Sequence, residues 1–224
     1  MQSQKKNLLQ FFSLKVLTIS CIFLVCIMGF AMIVDEVLLE HEKMLDDTVF
    51  RFFDSVTTPL LIKVMKVITF IGSTPFMLPA YVLLTAIFLL QKKLRYAIEI
   101  AVVGLTSQAL LYILKMIFHR QRPPASLIKS ITTYSFPSGH TFSTFVFCSI
   151  IVYIVQHSKW KAMYKWIVSA LVLLLSITIG ISRIILKVHY PTDVSGSLLL
   201  GIAWAICIGW VINNMNKKYG IKET

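Results

Sequence analysis

The sequence predicts an all-α integral membrane protein with six transmembrane helices, organised as one domain over residues 1–224. The chain is 57% hydrophobic, only 14% of its residues are charged, and its mean hydropathy is +0.77, which is too apolar for a soluble domain of this size. The hydrophobic residues form several runs long enough to cross a bilayer. Lysines and arginines cluster between these runs, in segments too short to form a second domain.

The hydrophobic runs predict six spans in chain order. They cover residues 14–34, 76–90, 96–118, 141–155, 166–186 and 194–212. Residues 1–13, before the first run, are polar. The first run could also be a secretory signal peptide, because Gly29-Phe30-Ala31 resembles a cleavage site. An uncleaved helix is favoured, since the run is longer than the ~7–15 apolar residues of a signal peptide.

The segment between the first and second spans has two parts. Residues 35–54 are acidic and are expected in water. Residues 50–70 combine large apolar side chains with Lys63 and Lys66 at helical spacing. This pattern predicts an amphipathic helix that lies in the membrane interface.

The four cysteines all fall inside hydrophobic runs. They are Cys21, Cys26, Cys148 and Cys207. Buried thiols in such positions behave as small hydrophobic groups, so neither a disulfide nor a zinc site is expected.

A polar stretch, Tyr-Ser-Phe-Pro-Ser-Gly-His-Thr-Phe-Ser-Thr at residues 134–144, lies where a basic loop meets the fourth span. Ser138, Gly139 and His140 are therefore expected at the start of a membrane helix. Gly139 lets the backbone come close to a ligand, and the first N–H groups of a helix attract anions. The plainer alternative is that His140 is an interfacial polar residue.

Lys115 and Arg122 form a second candidate cluster. They are seven residues apart, so they share a helix face if the third span continues until Pro123 stops it. A guanidinium binds two phosphate oxygens at once, and an ammonium adds a compact charge for another oxygen. The alternative is that both side chains extend from the membrane to lipid head groups.

A third cluster surrounds the start of the sixth span. His189 and Asp193 are four residues apart, with Pro191 between them at a position suited to open a helix. Asp193 can accept the proton on one imidazole nitrogen of His189 and leave the other nitrogen as a nucleophile. Arg183 ends the fifth span. The alternative is an Asp that interacts with the helix dipole, beside an interfacial His and a capping Arg.

The distribution of positive charge predicts the orientation and accounts for the net charge of +12 without a nucleic-acid partner. Six spans put both termini on one side, where eleven lysines and arginines lie, against ten on the other side. Lys115, Arg122 and Arg183 of that other side are assigned to the candidate site, and its long first loop counts less in the positive-inside rule. The termini are therefore predicted to be cytoplasmic and the site extracytoplasmic.

Three motifs together resemble the pattern of the type 2 phosphatidic acid phosphatase family. They are Lys115-Met-Ile-Phe-His-Arg-Gln-Arg122-Pro123, then Pro137-Ser138-Gly139-His140, then Ser182-Arg183 followed by His189 and Asp193. Every motif position is filled, and the resemblance covers residues 115–193 by motif. The six-span layout extends it over most of the chain.

The resemblance implies roles for the residues of the three clusters. His189 attacks phosphorus and forms a phosphohistidine, and Asp193 orients it. His140 protonates the leaving group and later activates water. The nonbridging oxygens are held by Lys115, Arg122, Arg183, the Ser138 hydroxyl and the Gly139 N–H. Asp193 is the only acid in this set, so no metal or other cofactor is expected.

The expected activity is that of a metal-independent lipid phosphate phosphatase in a bacterial plasma membrane. The family suggests undecaprenyl diphosphate, phosphatidylglycerophosphate or phosphatidic acid as substrates, with the bilayer itself as the other partner. Two alternatives stay open. One is a phosphotransferase that passes the phosphoryl group to an acceptor other than water. The other is a catalytically silent lipid-binding or transport relative, against which the presence of His140, His189 and Asp193 counts.

Overall fold

The computed structural model describes residues 14–39, 44–128 and 133–218 of the chain. Within these ranges the regular elements are eight α-helices, so the predicted all-α fold is confirmed. In chain order they are α1 (Leu14–Leu39), α2 (Met44–Val56), α3 (Pro59–Ile71), α4 (Thr74–Leu90), α5 (Leu94–Phe118), α6 (Gly139–Gln156), α7 (Ala162–Ile185) and α8 (Pro191–Lys218). The predicted polar N-terminal segment, residues 1–13, lies outside the described residues.

Six stretches of the described chain are long and apolar enough to cross a membrane. They are Val16–Leu38, Pro59–Leu90, Leu94–Phe118, Gly139–Gln156, Ala162–Ile185 and Pro191–Asn214. These stretches correspond one to one with the predicted spans and confirm their number and order. The second stretch is longer than predicted because it includes α3 as well as α4.

The amphipathic segment before the second span differs from the prediction. One helix over residues 50–70 is predicted, whereas the structure divides this segment between α2 and α3. The break precedes Pro59, which has no N–H to donate and is well suited to the first position of a helix. Thr58 caps α3, because its hydroxyl accepts a hydrogen bond of 3.2 Å from the N–H of Leu61. As separate helices, α2 packs on α7 and α8, and α3 packs on α7.

Helix α6 lies at the centre of the bundle, where it packs against α5, α7 and α8. Its Phe142 and Val146 are fully buried in a core cluster with Leu111 of α5 and Leu200 of α8. Many large apolar side chains on the outer faces of the helices remain exposed, as expected for helices that contact lipid. Because α6 begins at Gly139, its central position puts the second motif in the middle of one end of the bundle.

Hydrogen bonds between connecting segments hold this end of the bundle together. The N–H of Leu127 donates to the carbonyl of Leu186 at 3.0 Å, and the N–H of Ser135 donates to the carbonyl of Arg120 at 2.8 Å. The end of α5 is thereby tied to the end of α7 and to the start of α6.

Candidate active site

The loop that leads into α6 is fixed by a buried phenylalanine. Phe136 is 0% exposed and its ring lies 5.7 Å from that of Phe30 and 4.9 Å from that of Phe118. The ring also lies against Gly196 of α8, where a Cβ atom would be only 2.9 Å away. The N–H of Ser138 then donates to the carbonyl of Asp193 at 3.4 Å. The second motif is therefore fastened to the start of α8, where the third motif lies.

Lys115 and Arg122 converge as predicted, but not for the predicted reason. Helix α5 ends at Phe118, and His119 adopts a left-handed conformation with φ 47°, so no helical face continues to Pro123. The two side chains meet instead at a common acceptor. Lys115 Nζ donates to the carbonyl of Tyr134, and Arg122 Nη2 donates to the same oxygen at 3.3 Å. The loop before α6 therefore brings them together.

His189 lies over the end of α7. Lys187 turns the chain with a φ of 53°, and the N–H groups of Val188 and His189 both point to the carbonyl of Arg183, at 3.0 and 3.4 Å. This turn places His189 next to Arg183, which lies in the last turn of α7. Pro191 then opens α8, as predicted, and puts Asp193 in its first turn.

One nitrogen of His189 faces the carboxylate of Asp193. The side chains are 1% and 0% exposed, and Nδ1 lies 3.4 Å from Asp193 Oδ2. The same oxygen accepts hydrogen bonds from the hydroxyl of Ser135 and from the N–H of Tyr190, the latter at 2.8 Å. An acceptor-only carboxylate at this position favours the tautomer with the proton on Nδ1. Nε2 then carries no proton and has an electron pair that can accept a hydrogen bond.

The second nitrogen of His189 faces a guanidinium. Nε2 lies 3.1 Å from Arg122 Nη1, which also donates to the carbonyl of Val188 at 2.9 Å. Burial lowers the pKa of His189 to about 3, although the hydrogen bond that His189 donates to Asp193 opposes the shift, so the imidazole is neutral at neutral pH. Burial also lowers the pKa of Arg122. A neutral imidazole and a poorly solvated cation stand side by side.

Arg183 is a buried cation whose hydrogen-bonding capacity is largely unused. The residue is 2% exposed, and Nη1 donates to the hydroxyl of Thr69 at 2.7 Å. Its Nε and Nη2 atoms are buried and have no hydrogen-bond partner among the described residues. Buried polar groups are nearly always paired, and an unpaired guanidinium is costly. Such donors fit an anion that binds and leaves.

The start of α6 lies in the same group. Ser138 is fully buried, and its hydroxyl shares a hydrogen bond of 2.9 Å with that of Thr141. A Cβ atom at Gly139 would lie 3.9 Å from Lys115 Cε, which places this glycine beside the lysine. His140 is half-buried and close enough to His189 and the three cations to interact electrostatically with each of them. All eight candidate site residues predicted from the sequence therefore lie at one end of the bundle.

The sequence did not predict the part that Asp46 and Arg120 play in this region, and two expectations are wrong. Asp46 lies in the stretch that is expected in water, yet it is 1% exposed. Arg120 joins it to the site, with Nη2 at 2.9 Å from Asp46 and Nη1 at 2.6 Å from Asp193. Burial alone would lower the pKa of Arg120, but the two carboxylates raise it above its ordinary value. Asp193 is therefore not the only acid in the cluster, because Asp46 belongs to it through Arg120.

The described residues around the candidate site contain no evident metal-binding group. Across residues 14–39, 44–128 and 133–218, no group of three or more His, Cys, Asp or Glu side chains is arranged to hold a metal ion. The prediction that the chemistry needs no metal stays a prediction.

The fold and the site define a multi-pass helical membrane protein with a buried cationic site beside a neutral, carboxylate-paired histidine. The sequence profile of the PAP2 superfamily matches residues 92–217. The chain belongs to the PAP2 superfamily and is a membrane phosphatase of that family. The resemblance found in the three motifs is thereby confirmed.

Individual relatives agree with this assignment. Phosphatidylglycerophosphatase B of Bacillus subtilis is 30% identical over 158 residues, which cover 70% of this chain and 78% of that protein. The crystal structure of a transmembrane PAP2 type phosphatidylglycerolphosphate phosphatase from Bacillus subtilis superposes with a TM-score of 0.76 at 25% identity, over 90% of this chain and 98% of that one. The crystal structure of Aquifex aeolicus LpxE superposes with a TM-score of 0.55 at 25% identity, over 74% and 95%.

Proposed function

We propose that this protein hydrolyses the phosphomonoester or diphosphate group of a membrane lipid, and that a phosphohistidine forms on His189 during the reaction. The observation that supports this best is the position of Nε2. It carries the electron pair of a neutral, buried imidazole and lies 3.1 Å from Arg122 Nη1, and Arg183 and Lys115 are close enough to Arg122 to interact with it electrostatically. A nucleophile surrounded by fixed cations suits phosphoryl transfer, in which positioning and charge stabilisation supply most of the catalysis.

The first step transfers the phosphoryl group to the enzyme. His189 Nε2 forms a bond to phosphorus while the bond from phosphorus to the leaving-group oxygen breaks. The proton of His140 goes to that oxygen, so that an alcohol leaves from a phosphomonoester and a lipid monophosphate leaves from a diphosphate. Arg183 donates Nε and Nη2 to the phosphoryl oxygens, with Arg122 and Lys115 beside it and the Ser138 hydroxyl and Gly139 N–H at the start of α6. Asp193 holds the imidazolium that the transfer creates.

The second step returns the enzyme to its starting state. His140, now without its proton, takes one from water as the water oxygen attacks phosphorus. The bond between Nε2 and phosphorus breaks, inorganic phosphate leaves, and His140 is protonated again. The cations neutralise the charge that develops on the phosphoryl oxygens in both steps.

Lipid substrates are favoured by the place of the site at the ends of membrane spans. Helices α2 and α3 border the same end of the bundle and expose large apolar side chains, among them Phe52 and Leu60 at 62% and 71%. A lipid tail can therefore stay in apolar surroundings while its phosphate reaches His189. The names of the relatives from Bacillus subtilis point to phosphatidylglycerophosphate. Phosphatidic acid and undecaprenyl diphosphate are the other candidates.

Phosphate release by the purified full-length protein tests this proposal. The panel is phosphatidylglycerophosphate, phosphatidic acid and undecaprenyl diphosphate, with glucose 6-phosphate as the soluble control in the same detergent. We expect a kcat/KM for at least one lipid that exceeds the soluble ester by about tenfold or more. No release from any lipid overturns the proposed function, and transfer of the phosphoryl group to an alcohol without release identifies a phosphotransferase instead.

We also propose that the site faces away from the cytoplasm, as the charge count indicates. Ala125 is exposed at the site end of the bundle, and Lys159 is exposed between α6 and α7 at the other end. In a cysteine-free background, Ala125→Cys should react with a membrane-impermeant thiol reagent on intact cells, and Lys159→Cys should react only after the cells are broken. The reverse pattern puts the site in the cytoplasm.

A further inference from the structure

Helix α2 lies along the chain segment that carries His189. Asp46, Phe50 and Asp54 are spaced by four residues, so they share one face of this helix. Asp46 accepts hydrogen bonds from the N–H and the hydroxyl of Thr192, at 2.9 and 2.8 Å. Further along the same face, the ring of Phe50 lies 6.0 Å from that of Tyr190, and Asp54 pairs with Lys187 at 2.8 Å. One face of α2 therefore contacts the segment from residue 187 to residue 192.

Arg120 extends this contact to the histidine itself. Its guanidinium bridges Asp46 Oδ2 at 2.9 Å and Asp193 Oδ1 at 2.6 Å. It also donates to the hydroxyl of Thr192 at 2.7 Å and lies over the ring of Tyr190, with Cζ at 4.1 Å from the ring centre. The side chains of Asp46 and Asp193 are 2% and 0% exposed, and that of Arg120 is 14% exposed. These contacts leave little freedom for the guanidinium to turn.

This arrangement determines which groups each carboxylate oxygen of Asp193 contacts. Oδ1 is taken by Arg120, and Oδ2 is left for His189, Ser135 and the N–H of Tyr190. A guanidinium is a planar fork, so a carboxylate on each side fixes the plane of the fork and the rotation of both partners. Without Asp46, only one carboxylate would remain to fix that plane. Arg120 could then turn with Asp193 and change how Oδ2 meets the imidazole.

We propose that Asp46 is a positioning residue for His189, which acts through Arg120 and Asp193, and that α2 is the element that completes the active site. This inference rests on the proposed phosphatase function. It adds a helix outside the three motifs to the catalytic apparatus, and it assigns Arg120 a task distinct from that of the phosphate-binding arginines.

The substitution Asp46→Asn tests the inference in the full-length protein. This substitution keeps the size of the side chain and removes the carboxylate charge that pairs with Arg120 Nη2. The matched control is Asp47→Asn, because Asp47 is the neighbouring acid in the same first turn and is exposed. With the best lipid phosphate as substrate, we expect kcat to fall about tenfold for Asp46→Asn, with KM within twofold of the wild-type value, and no change for Asp47→Asn.

Two further measurements separate positioning from general damage to the fold. Titration with orthovanadate counts folded sites, so kcat can be expressed per site. Arg120→Lys keeps the charge but replaces the planar fork by a single nitrogen, which cannot fix the plane between two carboxylates. It should show the same loss of kcat with an unchanged KM. If Asp46 acts through Arg120, the double variant that combines Asp46→Asn with Arg120→Lys should have the same kcat as Arg120→Lys alone.

The outcomes are distinct. Wild-type kcat per site in Asp46→Asn, or losses that multiply in the double variant, overturns the positioning role and leaves the proposed function intact. If Asp46→Asn does not fold, Arg120→Lys decides alone, and a wild-type kcat in that variant overturns the inference. A wild-type protein that releases no phosphate overturns the proposed function and this inference together.

Discussion

The two nitrogens of His189 face two different kinds of environment. On the Nδ1 side, Asp193 is buried and its oxygens accept hydrogen bonds from Arg120, Ser135 and the N–H of Tyr190. Arg183, which the proposed mechanism uses on the Nε2 side, is equally buried, yet two of its three guanidinium nitrogens have no partner among the described residues. Both charges are buried, but among the described residues only the Asp193 carboxylate has hydrogen-bond partners for each of its charged atoms.

This difference indicates what each side is for. A buried charge whose partners are all present keeps a structure in one arrangement. A buried cation with unused donors carries a desolvation cost that the fold does not compensate, so it favours an anionic ligand. Arg120 and Arg183 are therefore the same residue type in opposite roles. In the proposed mechanism, Arg120 holds the nucleophile in place and Arg183 binds the phosphate.

The largest expected effect comes from replacing His189, whose two ring nitrogens face the two environments. His189→Asn should lower kcat by about ten-thousand-fold or more, because asparagine has no nitrogen that can form the proposed covalent bond to phosphorus. His119→Asn is the matched control, since His119 is an exposed histidine at the same end of the bundle and asparagine tolerates its left-handed conformation. Phosphate release and thermal unfolding should be measured for both. An active His189→Asn enzyme would contradict the phosphohistidine.

A pair of identical substitutions separates the two arginines. Arg183→Met should lower kcat/KM by about 100- to 1,000-fold, while the unfolding temperature stays the same or rises, because unpaired buried donors are removed. Arg120→Met should also lower activity, but it leaves Asp46 and Asp193 without their shared cation. This should destabilise the protein by about 3–5 kcal/mol.

Thermal unfolding in one detergent and steady-state kinetics measure both effects of these substitutions. Equal losses of stability in the two variants would remove the distinction between a holding and a binding arginine. Orthovanadate sharpens the test, since it should raise the unfolding temperature of the wild type and of Arg120→Lys but not of Arg183→Met.

The protonation of His189 gives a spectroscopic test of the Nδ1 side. Burial lowers its pKa to about 3, so the folded imidazole should stay neutral as the pH falls from 7 to 5, whereas an ordinary histidine is half protonated near 6.5. Ring-¹⁵N spectra, assigned by difference with His189→Asn, should show the neutral tautomer with the proton on Nδ1 throughout this range. A midpoint near 6.5, or a proton on Nε2, would contradict the assignment of the two sides.

The smallest expected effect concerns metal ions. If fixed cations supply all the positive charge on the Nε2 side, saturating chelator should change kcat/KM by less than about twofold. Phosphate release before and after treatment with EDTA measures this. Activity that is lost with chelator and restored by magnesium would show that the arginines and the lysine do not suffice.

The parts of the molecule that could be predicted are those with local signals. Six apolar runs mark six spans, and Pro191 correctly marks the start of α8 beside His189. Lys115 and Arg122 were expected together because of helical spacing. They meet instead because His119 ends the helix in a left-handed conformation and the carbonyl of Tyr134 gathers both side chains. A left-handed histidine has no reliable sequence signal.

The contact of α2 with the site could not be predicted, because its partners are far away in the chain. Asp46 reaches Arg120 across 74 positions and Thr192 across 146. The acidic sequence around Asp46 predicts a solvent-exposed stretch. Neither periodicity nor a motif indicates a buried carboxylate there. Only the packing of α2 against α7 and α8 reveals it.

The distance along the chain between Asp46 and its partners also affects the order in which the protein can be assembled during synthesis. The ribosome makes α2 early, and Thr192 and Asp193 emerge only after the fifth of the six spans. Until the last span enters the membrane and docks beside α2, the Asp46 carboxylate cannot meet Thr192, and Arg120 cannot join Asp46 to Asp193. If His189 and Asp46 have the proposed roles, a partly inserted chain has its first two motifs but no correctly positioned histidine, and hydrolysis should begin only after the last span has docked beside α2.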